Sequence, residues 1–115
     1  MNIFETLEAY RYENIHFFYD RPSKMKAIIS LHSTKYGPGL GGVRVLHYEN
    51  DNEAITDALK LSRAMTYKSA IANLDLGGGK AVIISHLGRP QNKYENCFSL
   101  KHIVSELEKL LSINV

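Results

Sequence analysis

The sequence predicts an α/β domain, a small mixed sheet of about four strands with helices packed on it, in one domain spanning residues 1–115. Two observations predict it. Short runs rich in β-branched, aliphatic and aromatic residues at 15–19, 27–31, 43–48 and 81–84 have the length and composition of strands. Residues 50–71 and 99–112 carry apolar side chains at helical spacing, and strands alternating with such helices build layered α/β folds.

The elements follow in chain order. Ile3, Leu7 and Tyr10 share one face of a short opening helix. The period then changes to that of strands: residues 15–19 and 27–31 form an expected hairpin around Asp20, Arg21, Pro22 and Ser23, all turn formers or breakers. A third strand is expected at 43–48. Asn50 opens the central helix, with Glu53 three residues on in the capping-box arrangement, and Ile55, Ala58, Leu59, Ser62, Met65 and Ser69 mark its inward side. That helix should end near Ile71, where residues 73–79 break it with a glycine turn, and 81–84 is a short buried strand. After a loop with Gly88 and Pro90, the residues Leu100, Ile103, Val104, Leu107, Leu110 and Leu111 form the stripe of a second long helix. Ser99 is its cap, and the stripe is expected to lie on the sheet.

Composition narrows the function classes. A chain of 115 residues with 44% hydrophobic content buries one modest core. The formal charge of +2, with basic and acidic residues interspersed, does not argue for a nucleic-acid surface. No apolar run is long enough for a bilayer, and the first residues lack a basic region followed by an apolar stretch, so neither membrane nor secretion is expected and a cytoplasmic location is the default. Cys97 is the sole cysteine, which excludes an internal disulfide and a cysteine-cluster metal site. His16, His32, His47 and His102 have no metal-ligand spacing and read as strand or helix-surface residues. Arg63 reads as a solvated or salt-bridged charge.

The chemistry concentrates in residues 65–84. Lys68 ends the apolar helical stripe and Lys80 opens an apolar strand, either side of Gly77, Gly78 and Gly79. A partly buried ammonium is costly unless a counter-charge receives it, and its pKa can fall far enough for acid–base work. Two such lysines across a glycine break suit a site for an amino-acid or keto-acid carboxylate. Gly37, Gly39 and Gly42 fit G-x-G-x-x-G, but a strand rather than a helix follows, so a dinucleotide fingerprint is disfavoured. Gly77-Gly78-Gly79-Lys80 lacks phosphate-loop spacing, and Ala81 stands where Ser or Thr would be needed.

Taken together, the glycine-rich 37–44 segment, the helix segment 53–63 and Met65-Thr66-Tyr67-Lys68 before Gly-Gly-Gly-Lys resemble the amino-terminal domain of the glutamate/leucine/phenylalanine/valine dehydrogenase family. The leucine dehydrogenase branch is the nearest resemblance, over about residues 1–84. It implies that Lys80 is the catalytic lysine assisting attack of water or ammonia on the substrate carbon. By the same resemblance Lys68 pairs with the substrate carboxylate, Leu40 touches the substrate side chain, Gly41 gives a backbone contact, and Met65 lines the pocket. It further implies oxidative deamination of branched-chain amino acids and self-association of this domain. NAD is implied for the complete enzyme, with no cofactor site within this chain. The aspartate that partners the lysine in that family falls beyond the matched region, and the chain alone is not expected to turn over.

Residues 85–115, with Ser85-His86-Leu87-Gly88-Arg89-Pro90 and the helix after it, resemble instead a strand–loop–helix piece of the phosphoglycerate kinase amino-terminal domain. By that resemblance His86 and Arg89 are anion-binding candidates, against the simpler reading of an ordinary surface loop. Three functions therefore stay open: the substrate-binding and oligomerisation domain of a leucine-dehydrogenase-like enzyme, a non-catalytic small-molecule-binding or assembly module, and a phosphoglycerate-binding fragment.

Overall fold

The computed structural model describes residues 1–84. The kinase-like segment, with His86, Arg89 and the expected 99–112 helix, lies outside the described residues. In chain order the elements are α1 (Ile3–Ala9), β1 (Asn14–Asp20), β2 (Met25–Ser33), β3 (Gly39–Leu40), β4 (Val43–Leu46), α2 (Asp51–Ile71) and β5 (Gly77–Ile84).

One five-stranded sheet holds them together, ordered β1-β2-β5-β3 with β4 also paired to β5. β1 and β2 form the expected antiparallel hairpin, with Phe17 opposite Ile28. Its turn is fixed by Asp20, whose carboxylate accepts from the Ser23 amide at 3.1 Å and from the Ser23 hydroxyl. β2 runs antiparallel to β5, while β3 and β4 run parallel to β5 along its other edge. Parallel neighbours need a long crossover connection, and the 21-residue α2 supplies it between β4 and β5.

Side chains alternate between the two faces of the sheet. Ile28 and Ser30 of β2 and Val82 and Ile84 of β5 face α2. Ile28, Val82 and Ile84 pack with Ala54, Ile55, Ala58, Leu59 and Tyr48. Met25, Ala27, Ile29, Leu31, Ala81 and Ile83 form a second buried cluster on the opposite face, joined by Phe18 and Val43. Burying each large aliphatic side chain contributes roughly 1.5–3 kcal/mol, so the two faces carry most of the driving force. Polar groups trapped at the α2 side are paired: the Ser30 and Ser62 hydroxyls meet at 2.8 Å, and the Tyr12 hydroxyl donates to the Leu59 carbonyl at 2.7 Å.

The helix starts as expected. Asn50 Oδ1 accepts the Glu53 amide at 3.0 Å, and Glu53 reaches back one residue further than in a capping box, to the Glu49 amide at 3.2 Å. Of the residues read as its inward side, Ile55, Ala58, Leu59, Ser62 and Ser69 are buried, while Met65 is half-buried.

Two expectations are corrected. Gly77, Gly78 and Gly79 are not a turn but the first three residues of β5. They are strand because they have no side chain to exclude the neighbours: a Cβ on Gly78 would lie closer than 3.0 Å to the Ser62 carbonyl and to the Thr66 backbone of α2, and one on Gly77 would strike the Ser33 carbonyl. The turn itself is confined to residues before Gly77 and uses Asn73 at φ 55°. His32 is not a surface residue either. It is buried on the α2 side, with Nδ1 2.9 Å from the Thr66 hydroxyl and Nε2 3.1 Å from the Tyr10 carbonyl. A carbonyl only accepts, so Nε2 carries the proton and Nδ1 accepts from Thr66.

Candidate functional site

The site is built where the glycine-rich edge of the sheet meets one flank of α2. Leu40 is opposite Gly78 in the parallel β3/β5 pairing, and Gly78 faces α2, so Leu40 faces α2 as well. Lys80 is two residues beyond Gly78 on the same strand and lies on the same face. Arg44 is opposite Val82, and so it too is on the helix side.

The helix contributes the other wall. At 3.6 residues per turn Asp57, Leu61 and Lys68 fall within about 40° of one another, with Met65 between that line and the buried face. This flank looks over β3 and β4, because Asp57 accepts from Arg44 Nη1 of β4 at 3.1 and 3.0 Å. The opposite flank looks over β2: Thr66 meets His32 there, and Arg63 lies over the rings of Tyr10 and Tyr67 with centroid distances of 4.4 and 5.5 Å. Arg63 is thus an aromatic-stacked cation rather than a salt-bridged one.

Leu40, Gly41, Met65, Lys68 and Lys80 therefore all belong to the β3–β5–α2 corner. Gly41 is needed at the joint between β3 and β4, since a Cβ there would collide with the Gly79 carbonyl. Gly42 is open toward Lys80, and a Cβ on it would come to 3.5 Å from Lys80 Nζ. The two lysines differ in setting: Lys68 is exposed and Lys80 is half-buried. Burial, and then the Arg44 guanidinium, holds the Lys80 ammonium below the ordinary lysine value, against the opposing pull of the Asp57 carboxylate. Among the described residues Lys80 has neither an ion pair nor a hydrogen bond.

Sequence reasoning missed Arg44, Tyr48 and Asp57. The Tyr48 hydroxyl donates to Asp57, and burial together with that bond pushes the phenol up to about 12. A groove of about 560 Å³ opens beside them, lined by Arg44, Tyr48, Asp57 and Lys60 among others, but not by Lys68 or Lys80. One signal was available: Asp57 stands eleven residues before Lys68, three helical turns, and so on the same flank. Among the described residues no group of acids, histidines or cysteines is placed to hold a metal ion.

Residues 14–114 match the family described as Glu/Leu/Phe/Val dehydrogenase, dimerisation domain. The chain belongs to the Glu/Leu/Phe/Val dehydrogenase family. It is 50% identical over 93 residues to the leucine dehydrogenase of Bacillus subtilis (strain 168), covering 81% of this chain and 26% of that protein. It is 46% identical over 96 residues to the L-tryptophan dehydrogenase of Nostoc punctiforme, covering 84% of this chain and 26% of that one. The crystal structure of L-tryptophan dehydrogenase from Nostoc punctiforme superposes with a TM-score of 0.80 at 42% identity, over 94% of this chain and 31% of that chain. The chain thus spans about a quarter of the length of the curated dehydrogenases it matches. The family match takes in residues 85–114, so the kinase-like reading of that stretch gains no support from it. None of the described helices is long and apolar enough to cross a membrane.

Proposed function

We propose that the chain is the substrate-binding and subunit-contact domain of an NAD-dependent amino-acid dehydrogenase of the leucine type, acting on branched-chain amino acids in the cytoplasm. The observation that carries this reading is Lys80: a half-buried amine with no ion pair or hydrogen bond among the described residues, on the helix face of the sheet, sharing that face with Leu40 and opposed by the α2 flank that bears Lys68.

In this reading the Lys68 ammonium receives the substrate carboxylate, and its exposure leaves it free to do so. Leu40 and Met65 pack against the aliphatic side chain, while the Gly41 backbone closes on it without a side chain in the way. Lys80 holds a proton at Nζ next to the substrate carbon and exchanges it with the attacking water or leaving ammonia, a role its lowered pKa suits. NAD, implied for the complete enzyme, would supply the hydride acceptor there. The described residues do not fit it: Gly37–Gly42 leads into strand β4 and not into a helix amino terminus, so no pyrophosphate cradle forms there. Residues 1–84 are therefore expected to bind substrate without supplying a cofactor site.

Titration of the pure protein with leucine, ketoisocaproate and phosphoglycerate, followed by NMR shift changes, tests this. Leucine or ketoisocaproate should perturb Lys68, Lys80 and Leu40, and Lys68→Ala should weaken binding by roughly ten- to a hundredfold, the worth of a charge-assisted hydrogen bond of about 1.5–3 kcal/mol. Binding of phosphoglycerate alone, or amino-acid binding indifferent to Lys68, would overturn it.

A further inference from the structure

The corner that holds Lys80 also holds a carboxylate that ought to capture it. Arg44 and Lys80 are diagonal neighbours on adjacent strands, since Arg44 pairs with Val82, and such neighbours stand on the order of 7–8 Å apart, within reach of long side chains. Asp57 acts electrostatically on Lys80 yet forms no ion pair with it. The reason lies in the other contacts of Asp57. Arg44 Nη1 spans both carboxylate oxygens at 3.1 and 3.0 Å, and the Tyr48 hydroxyl donates to Oδ2. Both oxygens of that carboxylate are thus occupied.

We propose that Arg44, clamped by Asp57 and Tyr48, is a positioning residue that keeps the Asp57 carboxylate off Lys80 and so leaves the Lys80 amine free for substrate. That the amine serves a substrate rests on the function proposed above; the clamp itself does not. Without the guanidinium, Asp57 has a vacant carboxylate edge, and Lys80 swings from Gly42 toward α2 to fill it. The other cation at hand is Lys60, exposed and three residues after Asp57 on α2. Capture by Lys60 would leave Lys80 only the smaller rise that follows from losing the Arg44 charge, and removing Asp57 would then not restore the rate in full, so the double variant separates the two outcomes.

The test is competitive acetylation of the full chain with trace acetic anhydride, read lysine by lysine by peptide mass spectrometry across neutral to alkaline pH. Near pH 8, Arg44→Met should slow acetylation of Lys80 by about tenfold, the effect of raising its pKa by about one unit, while exposed lysines such as Lys24 and Lys35 keep their rates. Adding Asp57→Asn to Arg44→Met should restore the Lys80 rate, because the captor is gone. Asp57→Asn alone should raise it, which keeps the proposal testable if Arg44→Met does not fold. An unchanged Lys80 rate in Arg44→Met, a failure of the double variant to rescue, or a slower rate in Asp57→Asn would each overturn the clamp. Failure of the keto-acid titration would instead remove the substrate reading and leave the labelling pattern intact.

Discussion

Replacing Gly78 by alanine should be among the most damaging single-methyl changes in this chain. The added Cβ would meet the Ser62 carbonyl, the Thr66 hydroxyl and the Thr66 amide, all closer than 3.0 Å, and two of the three are helix backbone that no rotamer change can move. Helix α2 must then retreat from β5 by about 1 Å, an overpacking strain of about 1–3 kcal/mol. The retreat also stretches the Ser30–Ser62 and His32–Thr66 hydrogen bonds, now 2.8 and 2.9 Å. Those bonds are worth about 1 kcal/mol each, so the total falls at about 3–5 kcal/mol. Urea unfolding followed by circular dichroism measures it, and with a slope of roughly 1–3 kcal/mol per molar the midpoint should fall by at least about 1 M. Gly42→Ala is the control. Its nearest contact is Lys80 Nζ at 3.5 Å, an ordinary distance, so its stability should stay within about 0.5 kcal/mol of the parent. Equal midpoints for Gly78→Ala and the parent would refute the claim that close helix–strand approach is what the glycine serves.

Two further outcomes are expected. Burial, reinforced by Arg63, holds His32 below its ordinary value of 6.5, so the fold favours the neutral ring. Its contribution is then complete above that value and is lost as pH falls from there through the depressed folded value, so melting temperature should drop between pH 7 and 5, and His32→Gln should flatten that slope. At the edge of the described sheet, β1 leaves Phe17 and Tyr19 exposed at 55% and 63% beside a backbone edge that no other described strand pairs. Sedimentation should therefore find a dimer at micromolar concentration, and Phe17→Lys should shift it toward the 13.0 kDa monomer. A monomeric parent chain would count against β1 as the contact.

Much of this fold was legible because its signals are local. The apolar spacing of Ile55, Ala58, Leu59 and Ser62 placed α2, and the Asn50 cap placed its start almost to the residue. Lys80 could be singled out because a charge opening the run Ala81, Val82, Ile83, Ile84 has no ordinary place in a buried strand. The glycine triplet misled because glycine leaves no periodicity to read, and the cause of its strand conformation sits on α2, at Ser62 and Thr66. The Arg44–Asp57 clamp was hidden for a related reason. Nothing in either local pattern announces it; the pair exists only once β4 is set parallel to β5 in the register that puts Arg44 beside Val82. His32 is the case that alternation alone could have caught, since it continues the Ile28, Ser30 row that faces the helix.

β5 pairs with three other strands and supports α2, yet it is the last described element in the chain. Its partners lie far back in sequence: Lys26 waits for Ile84 and Leu31 for Gly79. During synthesis the hairpin of β1 and β2 and the whole of α2 leave the ribosome before the strand that joins them exists. Contacts of such long sequence separation close slowly, and until they close the aromatic edge of β1 and the apolar stripe of α2 are both open to other chains. The order in which the elements emerge thus makes the interval before residue 84 clears the exit tunnel the period of greatest risk for misassembly, and a translational pause placed before β5 should lower the soluble yield more than one placed after it.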